Sequence, residues 1–368
     1  MFNIFKRKKE EPKKNSYYAS LKVREVVKET SDTVTIFFEQ PEPFLEYKPG
    51  QFLTLILEIN GKEERRSYSL CTSPYVDPYP GVTVKRIKGG VVSNYLNDHI
   101  HPGKTVNILK PMGNFTTDFH SKNKNHFVMI TGGSGITPIM GITKSVLINE
   151  PNSKITLLYC SRSEHEIIFD KQLDQLAAAH PDRLEVLMNI TKPGPDWTGL
   201  KGRIDAAKIK ETLAKSASAE TTTTKYFICG PEGLMDIAKE TLHGMNVPQE
   251  DIIKESFYTA ASENAGDPDA QGSDRPFLTR EVTVILQGQE YSYAVSPDKT
   301  ILEAGLDENL DMPYSCQSGL CTACMGRLLS GEVKMDEDAG LSDNEKKEGF
   351  ILCCVSRPMS ADIKIKIE

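Results

Sequence analysis

Hydrophobic and polar positions change their period along the chain. From Ser20 to Ile87, short runs alternate apolar and polar residues between Pro and Gly punctuation: Ser20–Glu29, Thr33–Glu39, Gln51–Ile59, Arg65–Cys71 and Val82–Ile87. Period two between turn residues predicts half-buried antiparallel strands, and this many in succession predict a barrel. Ser93–His99 reads as a short helix. Past the polar run SKNKN at 121–125 the pattern changes. His126–Ile130, Lys154–Cys160, Leu184–Ile190 and Lys225–Cys229 read as buried strands, whereas Pro138–Asn149, Ile168–His180 and Leu234–Gly244 have helical spacing. That alternation predicts a parallel α/β sheet with ligands gathered at its strand C-termini. No internal repeat is found.

A third pattern follows residues 259–276, TAASENAGDPDAQGSDRP, a stretch of small, acidic, Gly and Pro residues without apolar period. The expected organisation is a basic tail over 1–16, a barrel domain over 17–120 and an α/β domain over 125–257. A linker over 258–277 and a small C-terminal domain over 278–368 complete it. Composition then narrows the picture. The net charge of −7 argues against a nucleic-acid binder. Residues 280–368 hold 9 Lys/Arg against 16 Asp/Glu, so the whole surplus sits in the last unit. The opening MFNIFKRKKEEPKK has an apolar run too short for a signal peptide. A weak lipid anchor is conceivable there, and a solvated tail is the preferred reading. Phe127–Ile148 is apolar but broken by Gly132, Gly133, Gly135 and Pro138, which is poor for a membrane span. A cytoplasmic protein without a transmembrane segment is expected.

Five of the eight cysteines lie between Cys316 and Cys354. Cys316-x4-Cys321-x2-Cys324, followed by Cys354, is the plant-type [2Fe–2S] spacing. A wrapped loop supplies three thiolates and a distant segment the fourth. Gly319 gives that loop backbone freedom, and small neighbours let amides approach the sulfurs. A structural zinc site is the alternative, but such sites more often repeat C-x2-C pairs or include His, which this unit lacks. The surrounding pattern fits a β-grasp α+β ferredoxin domain: a hairpin over Glu281–Val295 turning at Gly288, a helix over Ile301–Asn309, then Met325–Leu329 and a last strand at Ile363–Ile367. Cys353 is read as a buried small hydrophobe.

Four further motifs carry chemistry. Arg66-Ser67-Tyr68-Ser69 ends a barrel strand and offers a cation for a phosphate, a ring to pack on a flavin and a hydroxyl for its hydride-accepting nitrogen. Val84-Lys85-Arg86-Ile87-Lys88-Gly89-Gly90-Val91-Val92-Ser93 leads into a helix start, where free amides suit a pyrophosphate. Thr131-Gly132-Gly133-Ser134-Gly135-Ile136-Thr137-Pro138 does the same after a buried strand, and Cys229-Gly230-Pro231-Glu232-Gly233-Leu234-Met235 ends another. Taken singly, Gly89-Gly90 could be a hairpin turn and Cys229 a buried strand-end residue.

Together, RxYS, GGxxS, GGxGxTP and CGPxxM in this order resemble the ferredoxin–NADP reductase superfamily, and the cysteine spacing resembles a fused plant-type ferredoxin. The likeness covers about residues 17–257 and 278–368. Its order resembles the reductase components of multicomponent oxygenases, above all the reductase subunits of phenylacetyl-CoA epoxidase systems. The resemblance implies a multidomain fold: an antiparallel flavin β-barrel, a parallel α/β NAD(P) sheet and a β-grasp ferredoxin. It implies that Arg66, Ser67, Tyr68 and Ser69 hold the flavin, and that Val84, Lys85, Arg86, Gly90, Val91, Val92 and Ser93 line its ribityl–diphosphate path. Thr131, Gly132, Gly133, Thr137 and Gly230 would meet the nicotinamide cofactor. Ser69 and Cys229 would stand at the hydride site, and Phe257 would close against the flavin. Cys316, Cys321, Cys324 and Cys354 would ligate iron.

Ser161 and Arg162 offer a hydroxyl and a guanidinium for a 2′-phosphate, which favours NADPH and leaves NADH open. FAD is favoured over FMN. The implied activity is NAD(P)H oxidation with electrons passing through FAD and [2Fe–2S] to a terminal di-iron or Rieske oxygenase, a phenylacetyl-CoA epoxidase among the options. That partner would dock at the acidic ferredoxin domain. Two alternatives stay open: a stand-alone reductase of ferredoxin-like carriers, haem proteins or ferric chelates, and a non-catalytic redox sensor or assembly subunit.

Overall fold

The computed structural model describes residues 17–216, 223–257, 278–337 and 340–367. The basic tail at 1–16 and the linker expected over 258–277 lie outside the described residues.

The first unit comprises β1 (Tyr18–Thr30), β2 (Thr33–Phe38), β3 (Phe52–Ile59), β4 (Lys62–Ser69), β5 (Gly81–Lys85), α1 (Val91–His99) and β6 (Thr105–Met112). Its strands pair antiparallel in the order β4-β3-β6-β1-β2-β5. A Leu70–Val82 bridge brings the two ends of this sheet together, so it curls into the expected barrel. The alternation seen in sequence explains the curl: Leu21, Ile36, Leu55, Val82 and Ile108 turn inward and fill the interior. β6 escaped the periodic reading. Ile108 and Leu109 are both buried beside a register shift against β3, and this breaks the period of two.

The second unit runs β7 (Asn125–Gly132), α2 (Ile136–Asn149), β8 (Lys154–Ser161), α3 (Asp170–Ala179), β9 (Leu184–Ile190), β10 (Leu200–Lys201), α4 (Ala206–Ser216), β11 (Thr223–Gly230), α5 (Glu232–Gly244) and β12 (Ile252–Ser256). All strands are parallel, in the order β10-β9-β8-β7-β11-β12. Helices α2 and α3 cover one face with Ile139, Ile142 and Leu173, and α4 and α5 cover the other with Ile209, Leu213 and Ala238. Strands buried on both faces have no polar side to show, which is why they read as apolar runs. The chain leaves β7 in both directions across the sheet, so the gap between β7 and β11 is the topological switch point where such sheets bind ligands. Helix α2 also packs on the barrel. A Cβ on Gly141 would lie 2.8 Å from the Thr72 carbonyl oxygen, so only glycine permits this approach. Ser145 Oγ donates to Ser73 Oγ at 2.8 Å and Lys144 pairs with Asp77 at 3.1 Å across the same seam.

The third unit contains β13 (Arg280–Leu286), β14 (Gln289–Val295), α6 (Ile301–Asp307), β15 (Met325–Ser330), β16 (Val333–Met335), α7 (Asp343–Lys347), β17 (Phe350–Leu352), β18 (Ser356–Pro358) and β19 (Ile363–Ile367). The main sheet runs β14-β13-β19-β15-β17, and β16 pairs with β18. The hairpin turns at Gln287-Gly288, both at positive φ. A capping box closes the start of α6, with Thr300 and Glu303 bonding reciprocally. Cys353 is fully buried in this core, and Tyr17 from the barrel unit packs against the same cluster.

Candidate functional site

The four cysteines of the C-x4-C-x2-C…C pattern are brought together. The Cys316 thiol is hydrogen-bonded to those of Cys321 and Cys354, which draw it well below the ordinary thiol range. Cys354 also meets Cys324, and its hydrogen bonds to Cys316 and Cys324 push it up. The Ser318 amide donates to Cys316 Sγ at 3.5 Å. Gly319 makes the wrap possible, with φ at +74° and Glu337 so close that a Cβ would stand 2.8 Å from its carbonyl oxygen. Four thiols crowded this way cannot all ionise without a shared cation, so the donor set fits iron. Thr322 adds a second sign of fit: its Oγ1 is buried without any hydrogen-bond partner, a costly arrangement that a sulfur acceptor would relieve. A dinuclear centre gives each iron only two protein thiolates, so it does not need a single-ion group of three ligands, which is absent among the described residues.

On the flavin side, β4 presents two faces. Ser67 and Ser69 lie on one, Arg66 and Tyr68 on the other. Ser69 Oγ donates to Glu255 Oε2 at 3.1 Å, reaching from the barrel to the end of β12. Ser67 Oγ donates to Ser315 Oγ at 3.0 Å, reaching to the residue before Cys316. Both serines line a cavity of about 360 Å³, together with Glu255, Phe257, Cys321 and Thr322. All three units therefore face one chamber. Tyr68 packs on the barrel core, and Arg66 pairs with Glu64 at 3.3 Å.

The glycine segment before α1 behaves differently from residue to residue. Val84 and Val92 point into the barrel core, which leaves only their backbones for a ligand. Lys85 pairs with Glu166 of the α/β unit at 3.3 Å, and Arg86 forms a forked pair with Asp98 at 2.7 and 2.8 Å. Gly90 caps α1 without any side-chain hydrogen bond, so the first amides of the helix are not taken by a cap. Ser93 Oγ accepts from the Ile87 amide at 3.1 Å, and Val91 is exposed.

At the switch point, Thr131 Oγ1 donates to the Cys229 carbonyl oxygen at 2.7 Å, tying the end of β7 to that of β11. The Gly132 and Gly230 backbones pass so closely that a Cβ on Gly230 would stand 2.8 Å from the Gly132 amide nitrogen. Gly133 has φ at +53° and open space where a Cβ would point, a cradle that a cofactor phosphate fits. Thr137 Oγ1 donates to the Ser134 carbonyl oxygen. Cys229 is buried and pairs in register with Glu255 across β11 and β12; burial pushes its thiol far up, so it stays neutral. At the end of β8, Ser161 Oγ donates to the Ser163 carbonyl oxygen and Arg162 is exposed.

Glu255 was missed by sequence reasoning, although it sits within the Glu255-Ser256-Phe257 phrase. Burial raises its carboxyl to about 8, against the lowering pull of the Ser69 hydroxyl. The available signal was an acid next to Ser256-Phe257 at the end of a strand that opens with Ile252-Ile253.

Three family models match in the order of the three units. Residues 19–117 match an oxidoreductase FAD-binding domain, 129–240 an oxidoreductase NAD-binding domain and 284–359 a 2Fe-2S iron-sulfur cluster binding domain. The chain is 33% identical over 355 residues to a subunit of the 1,2-phenylacetyl-CoA epoxidase of Escherichia coli K12, covering 95% of this chain and 98% of that one. The chain belongs to this family of flavin and iron–sulfur reductases. The ferredoxin reductase component of 3-ketosteroid-9-alpha-monooxygenase from Mycobacterium tuberculosis is 36% identical, with 94% of each chain covered. Among solved structures, phthalate dioxygenase reductase superposes with a TM-score of 0.58 at 25% identity, over 95% of this chain and 98% of that one. This reductase is thus an NAD(P)H-dependent oxidoreductase with FAD, NAD and [2Fe–2S] domains. Among its described residues, no helix is long and apolar enough to cross a membrane.

Proposed function

We propose that this reductase oxidises NADPH and feeds a cytoplasmic di-iron or Rieske oxygenase, a phenylacetyl-CoA epoxidase-like enzyme being the first candidate. The observation that carries the reading is the single face of β4. Ser69 on that face meets the nicotinamide unit and Ser67 meets the cysteine loop, around one shared cavity. When bound, the flavin would take two electrons as hydride from the nicotinamide and hand them singly to the cluster.

The chain's own residues do the positioning. Arg66 and Tyr68 hold the flavin, and the Gly89–Ser93 turn offers amides to its diphosphate. Ser69 presents a hydroxyl to the reacting edge, with its proton held by Glu255. Gly132, Gly133 and Thr137 cradle the nicotinamide diphosphate. Phe257, lining the cavity beside Ser69, covers the flavin side. Cys229 contributes a neutral thiol next to Glu255, where a thiolate would repel the incoming hydride equivalent.

Arg162 supports NADPH over NADH: it is exposed at the end of β8, and the Lys192 amide donates to its carbonyl oxygen at 2.8 Å, bringing a second basic residue alongside. The acidic surplus of the ferredoxin unit would steer a basic partner surface to the cluster, an encounter that salt weakens. The test compares NADPH with NADH in the wild-type protein and in Arg162→Ala, using cytochrome c and then the purified oxygenase as acceptor. The reading expects NADPH preference to fall about tenfold or more in the variant. It also expects added salt to slow the oxygenase reaction more than reduction of a small dye. Equal preference in both proteins and equal salt sensitivity would refute it.

A further inference from the structure

Arg65 precedes the flavin signature and lies on the same face of β4 as Ser67 and Ser69. Its guanidinium stands 4.0 Å from the centroid of the Tyr314 ring, and its side chain is only 11% exposed. Nε donates to Glu63 at 2.7 Å and Nη1 to the Tyr18 hydroxyl at 3.4 Å. The Tyr18 hydroxyl is in turn hydrogen-bonded with Asp311. Tyr314 lies two residues before Cys316, and Ser315 between them bonds Ser67. Two more contacts cross the same seam: Tyr17 donates to the Ile367 carbonyl oxygen at 3.3 Å, and Asn114 bonds Glu345 on the far rim. Of these partners, Arg65 is the one that engages both the barrel strands and the segment leading into the cysteine loop through a planar, desolvated stack.

We propose that Arg65 is a positioning residue which, through Tyr314, holds the Cys316 loop against the flavin side of the cavity and so sets how fast electrons pass from flavin to cluster. This deepens the reductase reading and rests on it. Each passage moves one electron: the reduced flavin loses it and one ferric ion becomes ferrous. The electron passage itself makes and breaks no bond. One NADPH supplies the pair for two passages, the second following once the cluster has passed its electron to the acceptor protein, and the reduced flavin gives up its proton to water as it is reoxidised. Arg65 touches neither cofactor's reacting atoms in this scheme. Its loss should leave hydride transfer intact and misplace only the acceptor.

The experiment mixes the full, cofactor-loaded chain anaerobically with NADPH and follows flavin bleaching and cluster reduction separately, the latter by freeze-quench paramagnetic resonance. In Arg65→Ala, flavin bleaching should stay within about twofold of wild type while cluster reduction slows at least tenfold. The final cluster signal at equilibrium should be unchanged. Amides 311–320 should exchange hydrogen faster in the variant, a readout independent of turnover. Tyr314→Phe, which keeps the ring, should behave as wild type, whereas Tyr314→Leu should be as slow as Arg65→Ala and the double variant no slower. Wild-type cluster reduction in Arg65→Ala, or equal slowing of flavin and cluster, overturns the proposal. If Arg65→Ala does not fold, a wild-type cluster rate in Tyr314→Leu overturns it instead. Failure of the wild-type protein to reduce its cluster with NADPH would sink the reductase reading itself, a result distinct from an indifferent Arg65.

Discussion

The two seams that meet at β4 are built on different physics. Toward the nicotinamide sheet, the seam is a half-buried carboxyl under a serine hydroxyl, with a neutral thiol beside it in register. Toward the ferredoxin, it is a guanidinium on an aromatic ring, a serine pair and rim contacts. Hydride transfer needs atoms held within about 3–3.5 Å in fixed orientation, and the Ser69–Glu255 hydrogen bond, joining the barrel to the end of β12, helps to fix the two units there. A single electron needs no bond to be made, so a stack and a few polar contacts suffice to hold the acceptor. One seam is made for contact geometry and the other for proximity.

The comparison breaks most visibly at the cluster. Cys321→Ser should abolish the iron–sulfur absorption and paramagnetic signal completely, while NADPH still bleaches the flavin at close to the wild-type rate. Loss of both would mean the seams are not separable. Next in size, Glu255→Gln keeps an acceptor for Ser69 but cannot hold the proton. Flavin reduction should fall roughly 10²-fold, the lower end for a positioned acid or base. In the wild type it should decline as pH rises through about 8, where the carboxyl becomes an anion beside the hydride path, and that decline should be absent in Glu255→Gln.

The same carboxyl makes a stability prediction. Its folded value of about 8 lies above the unfolded value of 4.5, so the folded state binds the extra proton between them. Its stabilising contribution is full below about pH 4.5 and is lost as pH rises through about 8. Urea midpoints at pH 5, 6.5 and 8 should fall along that series in the wild type and fall less steeply in Glu255→Gln. The smallest expected effect is at Thr322. If its buried hydroxyl relieves itself on a cluster sulfur, Thr322→Val should lower the cluster potential by about 1 kcal/mol, roughly 40 mV for one electron. Redox titration reads this directly, and an unchanged potential would remove Thr322 from the cluster's surroundings.

Much of the architecture could be read from period and punctuation. Strands buried on both faces announced the parallel sheet, and the cysteine spacing announced the cluster loop before any contact was known. What escaped was whatever depends on two units meeting. Glu255 is one polar residue in a short strand, and nothing local says that Ser69 lies across from it. Arg65 reads as one cation in a Glu-Glu-Arg-Arg run until Tyr314 is placed over it. Arg86 carried a role in the flavin path, and its forked pair with Asp98 on α1 could not be seen from spacing alone. Local pattern encodes elements; seams are encoded by residues hundreds of positions apart.

The central claim is that β4 organises one path, from nicotinamide through flavin to cluster. The most direct test compares flavin-stripped and flavin-loaded full-length protein, both with intact cluster, after anaerobic mixing with NADPH. The account predicts that flavin bleaching precedes cluster reduction in the loaded protein and that the stripped protein's cluster stays oxidised. Cluster reduction at the same rate without flavin would contradict it.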